Sequence, residues 1–138
     1  MSNVLAYIEQ HHAAHIEELK DFLRIPSIST APEHKNDVLR CAEWVASSMK
    51  GIGLENVQIV PTAGHPVVYG ENLQAGKNAP TVLFYGHYDV QPVDPLHLWT
   101  TQPFEPTIRD GKIFARGAVD DKGQVFMQLK SLEAHLKA

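Results

Sequence analysis

Thr-Val-Leu-Phe-Tyr-Gly at residues 81–86, running straight into His87-Tyr88-Asp89, is the most apolar stretch of the chain and the one on which the fold turns. A short continuous apolar run of this kind predicts a strand buried on both faces, at the centre of a sheet covered by helices. Upstream, VQIV (57–60) ends at Pro61, and VVYGE (67–71) is bounded by Pro66 and the polar turn NLQAGKNAP. Both read as further strands. Downstream, HYDVQPVDPLHLWTTQPFEP (87–106) carries four prolines. Loops of that length inside a domain are uncommon and usually functional. PTIRD-GKIFAR then predicts a hairpin around Asp110-Gly111, because Asp-Gly supplies the two positive-φ residues of a tight hairpin turn.

Working outward from the strands, all nine glycines fall at Gly51 or later, which separates a helical opening from a strand-and-loop middle. In the opening, Val4, Leu5, Ile8, Ile16, Leu19, Phe22 and Leu23 recur at helical spacing. Pro26 forces Ile25 out of the helical region and ends that element. SISTAPEHKN is a loop. A second helix is expected over 37–50, with Val38, Ala42, Val45 and Met49 on one face and Gly51 and Gly53 closing it. GQVFMQLKSLEAHLK predicts a last helix with Val125, Leu129, Leu132 and Leu136 at i, i+4, i+7 and i+11. Helices at both ends and strands between give an α/β domain, a layered sheet flanked by helices, over residues 1–138. There is no internal repeat and no linker.

Composition narrows the function. Of 138 residues, 43% are hydrophobic and 20% charged, ordinary for a globular protein, and the net charge of −4 without a Lys/Arg patch argues against nucleic acid as a partner. A single cysteine, Cys41, excludes an internal disulfide and zinc-ribbon spacing, and reads as a small apolar helix residue. No uncharged apolar run approaches the roughly 18 residues of a membrane span. The opening MSNVLAYIEQHHAAHIEEL carries charge and histidine where a signal peptide needs an apolar core, so the chain reads as cytoplasmic. Eight histidines are many for this length. His11, His12 and His15, with Glu9, Glu17 and Glu18 nearby, read as a solvated helix face, since no H-E-x-x-H pattern surrounds them.

Chemistry concentrates at two places. In open α/β sheets, ligands bind beyond the carboxyl ends of strands. His87 and Asp89 follow the 81–86 run at i, i+2 and share a side in extended chain. An imidazole beside a carboxylate suits a metal ligand with its orienting partner. Alone, the pair reads first as a loop histidine beside a turn-forming aspartate. Asp120-Asp121-Lys122-Gly123 precedes the last helix, and helix capping is its first reading. Two adjacent aspartates exceed what capping needs, leaving Asp120 free to face a site while Asp121 serves the helix start.

Taken together, GHYDVQPVDP, Trp99 and QPFEPTIRDGKIFARGAVDDKG resemble the di-zinc metallo-exopeptidases, a group of dipeptidases, carnosinases, carboxypeptidases of the G type, and acetylornithine and succinyl-diaminopimelate deacylases. The HYDVQPV and RGAVDDKG forms are most similar to the dipeptidase and carnosinase branch. The resemblance is dense over 80–124 and reaches back weakly to DFLRIPSIS. It implies the amino-terminal part of a zinc-exopeptidase catalytic domain. It further implies that His87 and Asp120 are metal ligands, Asp120 bridging two zinc ions, and that Asp89 is the catalytic-site residue orienting His87. Asp121, Lys122 and Gly123 would support the turn. Cobalt or manganese would also suit His/carboxylate donors. The implied reaction is hydrolysis of a dipeptide or small peptide by water held between two zincs about 3.5–4 Å apart.

Much of the implied machinery is missing from these residues. The family's general base is the first of two adjacent glutamates downstream, yet Glu133 is the only glutamate after Asp120. The lid or dimerisation domain, which implies a homodimer for the complete protein, has no counterpart either. Two ligands cannot close a zinc site that wants four, or three plus water. Residues 1–138 alone are therefore expected to be catalytically inert, to bind zinc weakly and to expose apolar surface. Two rivals stand beside the dipeptidase fragment: an N-acyl amino acid deacylase or carboxypeptidase, and a non-catalytic binding or regulatory scaffold.

Overall fold

The computed structural model describes residues 2–138. The chain opens with α1 (Ser2–Leu23), passes a 3-10 turn at Pro32–His34 and enters α2 (Lys35–Gly51). Two strands follow, β1 (Glu55–Val60) and β2 (Val67–Glu71), then a 3-10 turn at Leu96–Leu98, the short strands β3 (Thr107–Arg109) and β4 (Lys112–Phe114), and α3 (Lys122–Lys137). α1 stops where Pro26 excludes helical geometry for Ile25, as the sequence predicts. Gly53 adopts φ 95° just past α2 and turns the chain into β1.

The strands form two separate antiparallel pairs. β1 pairs with β2, and β3 with β4. The second pair turns at Asp110 and Gly111, with φ of 50° and 71°, the left-handed conformations that a two-residue hairpin of right-twisted strands demands. β1 and β2 lie against α2, and α3 lies against α1. Two helices precede the four strands and one follows them, a mixed helix-and-strand fold with helices at both ends. Among the described residues no helix is long and apolar enough to cross a membrane.

One core joins the three helices. Phe22 and Ile25 meet Cys41 and Val45 of α2 and Phe126 of α3, with Trp44 stacked on Phe22 at 4.3 Å between ring centroids. Burying a side chain such as Phe22 in full contributes about 1.5–3 kcal/mol.

Two expectations are corrected. Residues 81–86 form no strand among the described residues, and Val82, Leu83 and Tyr85 are 69%, 88% and 82% exposed. A strand exists only by pairing, and the sole bridge nearby, parallel between Ile28 and Val90, lies beyond the end of the run. α3 buries Phe126, Leu129, Lys130, Glu133 and Ala134, while Leu136 is exposed. Leu129 is buried and Val125 packs on the core as its spacing suggests, but the buried face also takes in Lys130 and Glu133, which find partners on α1. The second correction is at His15, which is buried rather than solvated. It sits in that α1–α3 seam, its ring 5.9 Å from His11, which stacks in turn on Tyr7 at 4.0 Å.

Candidate functional site

The segment after Gly86 is held from behind. Val90 bridges Ile28 in parallel, and its N–H donates to the Ser27 carbonyl at 2.9 Å. The Tyr88 carbonyl accepts from Ser27 Oγ at 2.7 Å and from Cys41 Sγ at 3.3 Å. The Tyr88 hydroxyl donates to the Pro66 carbonyl, and burial pushes its pKa up to about 12, which keeps the phenol neutral. With Tyr88 packed against the core, its neighbours on the other side of the extended chain, His87 and Asp89, face outward together.

His87 is fixed at three points. Its Nδ1 lies 2.9 Å from Asp89 Oδ1 and 3.2 Å from the Asp89 carbonyl oxygen. Its Nε2 lies 3.0 Å from Asp120 Oδ1, and its backbone N–H donates to Asp121 Oδ2 at 3.0 Å. Two oxygens face Nδ1 and one faces Nε2, so Nδ1 carries the proton in the neutral ring, and only the charged ring donates from both nitrogens. Burial works to lower the His87 pKa, but the Asp89 carboxylate and the hydrogen bonds to Asp89 and Asp120 outweigh it, and the net direction is upward. Asp89 Oδ2, the oxygen turned from the ring, accepts from Ser29 Oγ at 2.5 Å.

The Asp120 carboxylate arrives from the turn that starts α3, and its side chain is 79% exposed. The Asp120-Asp121 peptide bond is cis. Asp121 occupies the cap position of α3, yet its side chain makes no capping bond. This corrects the capping expectation: the carboxylate is engaged by the His87 N–H instead. Close approach explains two glycines. A Cβ on Gly86 would stand 2.5 Å from Val125 Cγ2 and 2.9 Å from Asp121 Oδ2, and one on Gly123 would stand 2.1 Å from the Ala118 carbonyl oxygen. The turn is anchored below by Lys122, fully buried, whose Nζ donates to the carbonyls of Phe22 and Ile25 at the end of α1. The Phe22 carbonyl also accepts from the Ile25 N–H at 3.4 Å and the Ile25 carbonyl from the Ser27 N–H at 2.8 Å, so the ammonium adds a charged second donor to each.

The long loop closes on itself beside this turn. Trp99 Nε1 donates to the Val93 carbonyl at 2.8 Å, and Arg116 lies over the Trp99 ring while its Nη2 donates to the Pro92 carbonyl.

Thus 33 residues of sequence separate His87 from Asp120, and the fold brings them into contact. An imidazole nitrogen and a carboxylate oxygen aimed at one point form a donor pair of the kind zinc, cobalt or manganese accepts. Among the described residues no group of three or more His, Cys, Asp or Glu could hold a metal ion. The donor chemistry therefore fits part of a metal site, with further ligands needed to close it. Ser27, Ser29 and Cys41 carry no role in the sequence reading. The signal for the serines was S-I-S, polar at period two, in the segment DFLRIPSIS.

Residues 83–138 match the model of peptidase family M20/M25/M40. The chain is 34% identical over 116 residues to the cysteinylglycine-S-conjugate dipeptidase of Corynebacterium striatum, covering 84% of this chain and 25% of that protein. It superposes on human carnosine dipeptidase 1 with a TM-score of 0.88 at 31% identity, covering 98% of this chain and 31% of that one. It also superposes on a metallo-carboxypeptidase of Sulfolobus solfataricus with a TM-score of 0.76 at 38% identity, covering 86% and 26%. The chain thus spans less than a third of each of these proteins. A shared motif segment, shared sequence and a shared fold agree: the chain belongs to the peptidase family M20/M25/M40.

Proposed function

We propose that residues 1–138 are the amino-terminal part of the catalytic domain of a zinc-dependent dipeptidase, and that His87 and Asp120 each give a ligand to a two-zinc site. The observation that carries this reading is the 3.0 Å approach of His87 Nε2 to Asp120 Oδ1, with Asp89 behind the ring. Dipeptidases among the relatives support the substrate class.

In this reading His87 binds through Nε2. Asp89 accepts the Nδ1 proton, fixes the tautomer and raises the basicity of the ligand nitrogen. Asp120 presents a largely exposed carboxylate, and Asp121 holds the backbone of His87 so that the two donors stay in register. When bound, the metal supplies Lewis acidity, polarising a carbonyl oxygen and making water acidic enough to act near neutral pH. The remaining ligands and the general base belong to residues beyond Ala138.

The test is made on the full-length polypeptide. It should hydrolyse unblocked dipeptides, and His87→Ala and Asp120→Ala should lose zinc and lower kcat/KM by more than about 100-fold, beyond what an outer partner of a ligand is worth. Retained zinc content in both variants would sink the assignment. Faster release of carboxy-terminal residues from longer peptides, or of acyl groups from N-acyl amino acids, would favour the carboxypeptidase or deacylase reading. The former is supported by the likeness to the Sulfolobus solfataricus carboxypeptidase.

A further inference from the structure

We infer that Ser29 is a positioning residue for His87, acting through Asp89. This rests on the proposed role of His87 as a metal ligand. Asp89 has two carboxylate oxygens, and the fold uses each for one partner: Oδ1 meets His87 Nδ1 at 2.9 Å, and Oδ2 accepts from Ser29 Oγ at 2.5 Å. A carboxylate held by one oxygen can rotate about its last torsion and offer either oxygen to the imidazole. Held by both, it presents a single oxygen from a fixed direction, and the ring plane follows.

The donor is well chosen for this task. A serine hydroxyl is neutral, so it orients the carboxylate without cancelling the negative charge that His87 draws on. A lysine or arginine there would compete with the imidazole for that charge.

The backbone that carries Ser29 is held without help from its hydroxyl. Ile28 bridges Val90, the Ser27 carbonyl accepts from the Val90 N–H at 2.9 Å, and the Ser29 carbonyl accepts from His65 Nε2 at 2.8 Å. Ser27, fully buried, ties its own hydroxyl to the Tyr88 carbonyl. Residues 27–29 therefore form a splint along residues 88–90, and the Ser29 hydroxyl is its one contact with the side chains of the site. Removing that hydroxyl should leave the splint in place and free Asp89 Oδ2.

The experiment uses the full-length protein, stripped of metal and titrated with zinc alone against a competing chelator, together with kcat and KM for a dipeptide. Ser29→Ala should raise the zinc Kd about tenfold, in the range for residues that orient a ligand. At limiting zinc it should lower kcat with KM unchanged. Ser29→Thr, which keeps the hydroxyl, should restore most of the loss. In an Asp89→Ala background, Ser29→Ala should add nothing further, a coupling that a merely structural serine would not show. If Ser29→Ala leaves zinc affinity unchanged while His87→Ala weakens it, the role of Ser29 is overturned and that of His87 stands. If His87→Ala has no effect on zinc either, both are overturned together.

Discussion

Lys122 Nζ lies 2.7 Å from the carbonyl oxygen of Ile25, so the residue after the Asp120-Asp121 turn is bolted to the end of a helix 97 positions earlier. The same ammonium reaches the Phe22 carbonyl at 2.9 Å and lies over the Phe22 ring at 4.9 Å. Burial lowers its pKa. Lys122→Met keeps the stem but removes two charge-assisted hydrogen bonds, leaving each carbonyl only its backbone donor, and it should destabilise the protein by about 1.5–3 kcal/mol per bond lost. Urea unfolding measures the loss, and an unchanged midpoint would refute the anchoring role.

The seam between α1 and α3 should weaken in acid. Tyr7 Oη donates to Glu133 Oε1 at 2.9 Å, Lys130 pairs with Glu133 at 2.7 Å and with Glu18, and Lys137 lies 3.7 Å from Glu133. His11 and His15 stack beside this cluster. The His15 pKa is lowered, first by burial and then by the Lys130 charge. A histidine kept neutral by the fold stabilises it above its ordinary value of 6.5, and that contribution is lost as pH falls through the lowered value. Glu133 behaves in the same sense. Burial works to raise its pKa, but hydrogen bonds from Lys130 and Tyr7 outweigh this and hold it below 4.5, so its contribution is lost on further acidification. Unfolding free energy should therefore fall in two steps from pH 7 downward. His15→Gln should remove the upper step and leave the lower one. A single step in both proteins would contradict the assignment.

Gly86 sits where the His87 segment passes close to α3. Gly86→Ala places a methyl 2.5 Å from Val125 Cγ2 and 2.9 Å from Asp121 Oδ2, and overpacking of this kind costs about 1–3 kcal/mol. The displaced backbone should also break the bond from His87 N–H to Asp121. Pairing it with Val125→Ala should recover part of the stability, because the two sites touch. Additive losses in the double variant would show that the clash lies elsewhere.

A polypeptide of residues 1–138 should associate with itself. Val82, Leu83, Phe84 and Tyr85 form a contiguous exposed apolar run with no strand beside it, the combination that promotes edge-to-edge pairing. Sedimentation velocity should show larger species at rising concentration, and Leu83→Lys with Tyr85→Lys should return the chain to monomer. A monomeric parent chain would refute this.

Helix boundaries were legible because their signals are local. Pro26, Gly53 and the Asp110-Gly111 turn act on the chain within a residue or two of themselves. The apolar run at 81–86 misled for the opposite reason: its composition suits a strand, but pairing depends on residues far away in sequence. The buried face of α3 was legible only in part: Leu129 and Val125 pack inward, but Lys130 and Glu133 count as polar by type, while Tyr7 and Glu18 supply the bonds that let them be buried. At the site, the spacing of His87, Asp89 and Asp120 read first as a loop pair and a helix cap, and it was the resemblance to the metallo-exopeptidases that singled them out. Ser29 was not singled out, because a serine in a loop carries no signal until its partner is known.

The splint at residues 27–29 also decides what a metal titration would report. Its bonds to Tyr88, Asp89 and Val90 join positions about sixty apart in sequence, a closure that a partly ordered chain does not make cheaply. The Asp120 donor depends in turn on Lys122 reaching back to α1. If His87 and Asp120 hold zinc as proposed, the affinity of the site reads whether the first helix, the middle loops and the last helix have all met. A bound cobalt ion should lose its absorption at the same urea concentration that unfolds the helices, making the colour of the site a gauge of the whole chain.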